Sequence, residues 1–191
     1  MLSEKLGHVF DKPLKKIAVH VPFSPNFISF TGFAVTLFAS YVLISDLRLG
    51  GVLILAGGVF DILDGVVART NQKESRFGAF WDSLLDRYSD AAILIAISWT
   101  FLASGNIPLF FVSIGILVGS FLVSYARARA EGLGLVCKQG LMERTERIVM
   151  LAAGAISGFL VPVLWVMLVL THFTVFQRIY VVWKAGRSDR F

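Results

Sequence analysis

Six stretches of this chain are so apolar, over close to twenty residues each, that water is the wrong solvent for them. They run roughly over 27–45, 50–68, 80–104, 107–128, 147–161 and 162–183. A helix needs about 20 mostly apolar residues to cross the hydrocarbon core of a bilayer. The fifth stretch is short, and Pro162 marks the turn into the sixth. A closed β-barrel is the other way across, but none of these runs alternates as a barrel strand does. Composition agrees: 56% of residues are hydrophobic and 16% charged, against about 25% charged in a soluble domain. Such a chain is too apolar to be disordered, and Cys137, the single cysteine, excludes a disulfide scaffold. With 191 residues, the expectation is one all-α polytopic membrane domain over 1–191, with six transmembrane helices over 23–191.

The basic residues give the orientation. Lys5, Lys12, Lys15 and Lys16 precede the first span, and Arg69, Lys73, Arg76 and Arg87 fall around the junction of spans two and three. Arg127, Arg129, Lys138, Arg144 and Arg147 lie around the junction of spans four and five, and Arg178, Lys184, Arg187 and Arg190 end the chain. Only Arg48 is on the opposite side. The positive-inside rule then puts both termini in the cytoplasm, and the net charge of +5 needs no nucleic acid to explain it. Residues 1–22 carry Glu4, Asp11 and four lysines, which rules out a signal peptide. Leu2, Leu6, Val9, Phe10, Leu14, Ile17 and Val21 recur at helical spacing, which predicts an amphipathic interfacial helix.

The chemistry gathers at the cytoplasmic end of span two and the start of span three. On a helix, Asp61, Asp64, Gly65 and Ala68 share one face, and so do Gly78, Asp82 and Asp86. Two neighbouring helices joined by a short loop can therefore bring four carboxylates together at the membrane surface. Four anions there need compensation, and ionisable residues in a membrane are a functional hypothesis by default. Hard oxygen ligands select Mg²⁺, Mn²⁺ or Ca²⁺ over zinc, and Mg²⁺ characteristically joins carboxylates to phosphates. Gly65, Ala68 and Gly78 leave room for a ligand to approach, and Arg69 offers a planar donor for phosphate oxygens. These residues look built for a metal-bound pyrophosphate. Asp90 continues the stripe one turn deeper and is expected to pair with a nearby polar group.

The string Asp61-x2-Asp64-Gly65-x2-Ala68-Arg69-x8-Gly78-x3-Asp82-x3-Asp86 resembles the CDP-alcohol phosphotransferase signature at all its positions and spacings. That resemblance implies transfer from a CDP-linked lipid, CDP-diacylglycerol or CDP-archaeol, to an alcohol with release of CMP. It also implies that Asp61, Asp64, Asp82 and Asp86 hold two metal ions, Mg²⁺ or Mn²⁺, and that Asp86 is the general base on the acceptor hydroxyl. Gly65, Ala68, Arg69, Ser75 and Gly78 look like positions that hold the CDP moiety. The segment Asn26, Phe27, Ile28 and Ser29, after Ser24-Pro25, resembles a further nucleotide-contacting stretch. A homodimer in the cytoplasmic membrane is part of the same implication.

The acceptor is read from the remaining arginines. A phosphorylated alcohol calls for several arginines at one pocket, whereas an uncharged one does not. The segments around Arg127, Arg147 and Arg178 resemble the branch that makes phosphatidylinositol phosphate or its archaeal ether-lipid counterpart, which implies that they grip the phosphate of inositol 1-phosphate. Glycerol 3-phosphate is the alternative acceptor. Arg144 and Arg129 are assigned instead to the positive-inside pattern and lipid headgroups. Gly115-x3-Gly119 marks close helix packing. An Asp-rich prenyltransferase would want a longer chain with a second, distant acidic motif. A carboxylate-based cation transporter would place its acids near the midplane and carry inverted repeats.

Overall fold

A computed structural model describes residues 22–137 and 139–188. Among them are six helices and no strand. They are α1 (Pro25–Leu43), α2 (Leu47–Thr70), α3 (Arg76–Ala103), α4 (Ile107–Glu131), α5 (Arg144–Ser157) and α6 (Leu160–Ser188). The interfacial helix expected over 1–22 lies, but for Pro22, outside the described residues, as do Lys138 and Arg190.

The helix starts are written locally. Ser24, Asp46, Ser75 and Asn106 stand at the N-caps of α1 to α4, and each accepts a hydrogen bond from a backbone N–H of the first turn, satisfying donors that the helix itself cannot. Pro25 and Pro108 occupy first-turn positions, where the missing N–H costs nothing. Gly158, at φ +81°, ends α5 in the left-handed region and lets the chain reverse directly into α6.

Four helices, α1, α2, α4 and α6, are long and apolar enough to cross a membrane. The expected six spans reduce to these four by length and composition, for two physical reasons. The first half of α3 carries Arg76, Asp82, Asp86, Arg87 and Asp90, and α5 has 14 residues, a rise of about 21 Å.

The helices close into a ring. Each packs against two others in the order α1, α2, α5, α6, α4, α3 and back to α1. The core inside it runs from Ala39, Leu43 and Ile54 through Ile93, Leu94 and Ile97 to Ile116, Leu151, Leu164 and Met167. Small residues set the contacts: a Cβ added at Gly51 of α2 would lie 2.9 Å from Ile156 Cγ1 and 3.0 Å from Ala155 Cβ of α5. Gly115 and Gly119 of α4 meet Leu168, Thr171 and His172 of α6 in the same way. Some buried hydroxyls are satisfied within their own helices, Ser98 by Leu94 O and Ser113 by Leu109 O. Consecutive helices α2 and α3 are not among the packed pairs; they face each other across the site.

Close packing at Gly51 has a measurable consequence. Gly51→Leu is expected to destabilise the protein by about 1–3 kcal/mol through overpacking, read as a lower thermal midpoint in detergent. An unchanged midpoint would mean that α2 and α5 do not approach so closely.

Candidate active site

The ring leaves cavities at the end where α2 finishes and α3 begins, among them one of about 390 Å³ that borders Asp61, Asp86 and Arg144 and two larger ones. The first, of about 520 Å³, is lined by Pro25, Asn26 and Ser29 of α1, by Asp64, Gly65, Ala68 and Arg69 of α2, and by Ser75, Gly78 and Asp82 at the start of α3. Ser75 Oγ accepts from Gly78 N at 2.9 Å, so the cap of α3 forms part of the wall. A Cβ at Gly78 would come within 2.9 Å of that hydroxyl and 3.0 Å of Asn26 Oδ1. Glycine therefore keeps the cavity open. Asp64 is buried, and the Ser29 hydroxyl donates to its Oδ2 in a short hydrogen bond. Helical geometry divides the segment 26–29: Asn26 and Ser29 face the cavity, one turn apart. Phe27 is half-exposed and stacks on Phe23, while Ile28 is buried with Val66 and Val67.

The second cavity, of about 630 Å³, lies between α3, α4, α5 and α6. Asp82, Asp86 and Asp90 line one side, and Arg127, Arg144, Arg147 and Arg178 the other. Ala79 and Asp82 belong to both cavities, which therefore meet at the carboxylates.

Arg144 sits among those carboxylates. Its Nη1 is 2.6 Å from Asp61 Oδ2 and 3.0 Å from Asp86 Oδ1, and its Nε is 3.7 Å from Asp90 Oδ1. The positive-inside assignment of Arg144 thus gives way to a place at the centre of the acidic cluster. The signal lay in Glu143-Arg144-Thr145-Glu146-Arg147, which sets Arg144 and Arg147 three apart on one helical face. Arg147 is itself buried: Nη2 donates to Asp90 Oδ2 at 2.5 Å and Nη1 to Met142 O at 3.1 Å. Asp90 has in Arg147 the polar partner its position called for.

Arg178 is 2% exposed, donating from Nε to Gln139 O at 3.0 Å and from Nη1 to Val123 O. Arg127 is more open, with Nε 2.9 Å from Glu131 Oε1. Glu143, which the sequence reading passed over, lies 3.8 Å from Arg127 and 3.6 Å from Arg178. The residues before it are pinned to α6, where Met142 N donates to Thr174 Oγ1 at 3.1 Å.

The donor set suits a hard divalent cation. Every candidate ligand is a carboxylate oxygen, and the cluster already draws in a cation, the Arg144 guanidinium. With that guanidinium between Asp61 and Asp86, no three Asp, Glu, His or Cys side chains among the described residues stand ready to hold a metal ion.

Acids gathered on apolar helices beside a cavity walled by small residues and Arg69 suit a metal-dependent enzyme that handles a phosphorylated ligand at the membrane. Residues 23–183 match the family described as CDP-alcohol phosphatidyltransferase, and the chain belongs to that family. Archaetidylinositol phosphate synthase of Methanothermobacter thermautotrophicus is 38% identical over 175 residues, covering 88% of this chain and 87% of that protein. Phosphatidylinositol phosphate synthase of Mycobacteroides abscessus is 32% identical over 192 residues, covering 95% and 87%. The fold resembles the crystal structure of Mycobacterium tuberculosis phosphatidylinositol phosphate synthase with CDP-DAG bound, at a TM-score of 0.81 and 30% identity over 91% of this chain and 93% of that one. The same enzyme has also been solved with manganese and citrate; that structure covers 91% of this chain and 88% of its own, with a TM-score of 0.81 and 29% identity.

The Asp90–Arg147 pair is buried and directly hydrogen-bonded. Asp90→Ala leaves a buried guanidinium without its partner and is expected to cost about 3–5 kcal/mol. Asp90→Leu combined with Arg147→Met should recover much of that loss in thermal unfolding. Failure of the double variant to recover would mean that the pair does more than neutralise itself.

Proposed function

We propose that this protein transfers a phosphatidyl or archaetidyl group from CDP-diacylglycerol or CDP-archaeol to the hydroxyl of inositol 1-phosphate, releasing CMP. The single observation that carries the reading is the meeting of two cavities at Asp82, one walled by small residues and Arg69, the other by carboxylates and arginines. A nucleotide diphosphate in the first would present its reacting phosphorus to an acceptor in the second. The names of the relatives favour inositol phosphate over glycerol 3-phosphate as that acceptor.

In this reading Asn26, Ser29, Gly65, Ala68, Arg69, Ser75 and Gly78 hold the CDP moiety, with Phe27 and Ile28 fixing the helix that presents the first two. Asp61, Asp64, Asp82 and Asp86 hold two divalent cations, Mg²⁺ or Mn²⁺. When bound, they neutralise the diphosphate and make CMP a better leaving group. The manganese complex of the mycobacterial enzyme supports a metal-dependent reading. Asp86, which borders the acceptor cavity, takes the proton as the acceptor oxygen attacks the lipid-side phosphorus. The bond from that phosphorus to the CMP oxygen breaks, and no residue is covalently modified. Arg127, Arg147 and Arg178, which line the acceptor cavity, hold the acceptor phosphate, and Arg147 also braces Asp90. A carboxylate that also ligates a metal is a weak base, so a well-placed hydroxyl matters more than its strength.

The family is membrane-integral. All six helices serve as spans in this reading, α3 presenting Ile95, Trp99 and Leu102 on its outer face. Residues 1–22 lie on the membrane surface, the whole of 1–191 is one domain, and both termini and the site face the cytoplasm. The assembly is a homodimer.

The test is CMP release by the purified protein in detergent with CDP-lipid and Mg²⁺ or Mn²⁺. Inositol 1-phosphate, glycerol 3-phosphate, free inositol and serine are offered in parallel, and the lipid product is weighed by mass spectrometry. Release with inositol 1-phosphate alone is expected; release with another acceptor contradicts the substrate assignment. Asp86→Asn should keep its fold and lose at least about 100-fold in kcat, the size typical of a general base. Normal turnover would remove Asp86 from the mechanism. Arg178→Ala should raise KM for inositol 1-phosphate more than for CDP-lipid, and equal effects would leave Arg178 a packing residue.

A further inference from the structure

Two charge clusters border the acceptor cavity, and consecutive residues of one segment neutralise both. Arg144 lies among carboxylates, 2.6 Å from Asp61 and 3.0 Å from Asp86. Glu143 lies among guanidiniums, 3.6 Å from Arg178 and 3.8 Å from Arg127. Arg144 leaves a local requirement unmet. The Nε of Arg144 is buried with no hydrogen-bond partner, an arrangement that costs free energy. Glu143 is the N-cap of α5, yet its side chain makes no capping hydrogen bond, whereas the caps of α1 to α4 all do. Its carboxylate instead lies within ion-pair distance of the Arg127 and Arg178 guanidiniums.

The geometry points to Glu143 and Arg144 as paired internal counter-ions, Glu143 standing where the acceptor phosphate binds and Arg144 where the divalent cation binds. Both must withdraw for those two ligands to enter. This rests on the functional reading above and adds a coupling to it. Glu143 is the N-cap of α5 and Arg144 its first residue, so the coupling runs through that first turn. Met142, just before them, is held on α6 by Thr174, which confines the exchange to the side chains and the first turn of α5. Cation binding at the aspartates therefore raises affinity for the acceptor phosphate. By linkage the acceptor raises affinity for the cation by the same factor. Substrate entry at one cavity is reported to the other before any chemistry occurs.

The test is Mn²⁺ binding to the full-length protein in detergent, without CDP-lipid, followed by the electron paramagnetic resonance signal of free Mn²⁺. Titrations are run with and without inositol 1-phosphate. Wild-type protein is expected to bind Mn²⁺ at least about fivefold tighter when inositol 1-phosphate is present, the lower end of ordinary coupling. Arg144→Gln should bind Mn²⁺ about tenfold tighter than wild type with no acceptor, because the competing cation is gone. Arg144→Lys carries a point charge that cannot bridge two carboxylates as the planar fork does, and should fall between the two; it also serves if the glutamine variant does not fold. Glu143→Gln should lose most of the enhancement by inositol 1-phosphate. Unchanged or weaker Mn²⁺ binding by both Arg144 variants overturns the displacement. So does a Glu143→Gln protein that keeps the full enhancement, since direct attraction between cation and phosphate would then explain it. Mn²⁺ binding by none of the proteins contradicts the metal reading as well, and the counter-ion proposal falls with it.

Discussion

Gathering carboxylates at a membrane surface requires a positive charge, and the structure is arranged around meeting that requirement. Two like charges 4 Å apart repel by about 4 kcal/mol at an effective dielectric of about 20. Asp61, on α2, and Asp86 and Asp90, on α3, are brought within reach of one another, and the guanidinium of Arg144 from α5 reaches all three. Asp90 has a second cation in Arg147, one helical turn along. The acidic face is thus held by one helix that contributes both arginines. The same arrangement explains why α5 can be short. Its work is at its N-terminal turn, and a helix of 14 residues is enough to carry two arginines to the site and then pack on α2 and α6.

The ring of helices turns this local balance into a shaped site. Small residues let α2 approach α5 closely at Gly51, while α2 and α3 stay apart around the first cavity, which meets the second at Asp82. The short connection from Thr70 to Arg76, closed by the Ser75 cap, fixes the relative heights of the two acidic stripes. The loop before α5 is tied to α6 through Met142 and Gln139. Arg178 is therefore both a wall of the acceptor cavity and the anchor of the segment that delivers Glu143 and Arg144. Catalytic geometry and folding geometry share these contacts, so a change at Arg178 affects the loop as well as the ligand.

Much of this was legible in the residues alone, and what was not has identifiable causes. The four acids and three small residues announce themselves because the i, i+3, i+4 and i+7 spacings are local properties of one helix. The sequence also marks the helix starts at Ser24, Asp46, Ser75 and Asn106, since capping is local as well. The six helices were visible as apolar runs, but α3 loses its claim to a simple span through the charges that make the site. Arg144 looked like one more cytoplasmic arginine; only the packing of α5 on α2 carries it across to Asp61, and that contact spans 83 residues of chain. Glu143 was invisible for a related reason: only tertiary packing brings its carboxylate to Arg127 of α4 and Arg178 of α6. Within 26–29 the resemblance treats the segment as a unit, whereas helical phase gives Asn26 and Ser29 to the cavity and Phe27 and Ile28 to other surroundings.

On the function proposed above, the four aspartates are where a divalent cation meets the diphosphate of a CDP-lipid. Anomalous diffraction from crystals grown with Mn²⁺ and CDP-lipid tests it most directly. The expected result is manganese scattering beside Asp61, Asp64, Asp82 and Asp86, with Arg144 moved off Asp61 and the cytidine in the cavity lined by Asn26, Ser29 and Arg69. Manganese scattering at some other place, or a nucleotide seated away from these aspartates, would contradict the account.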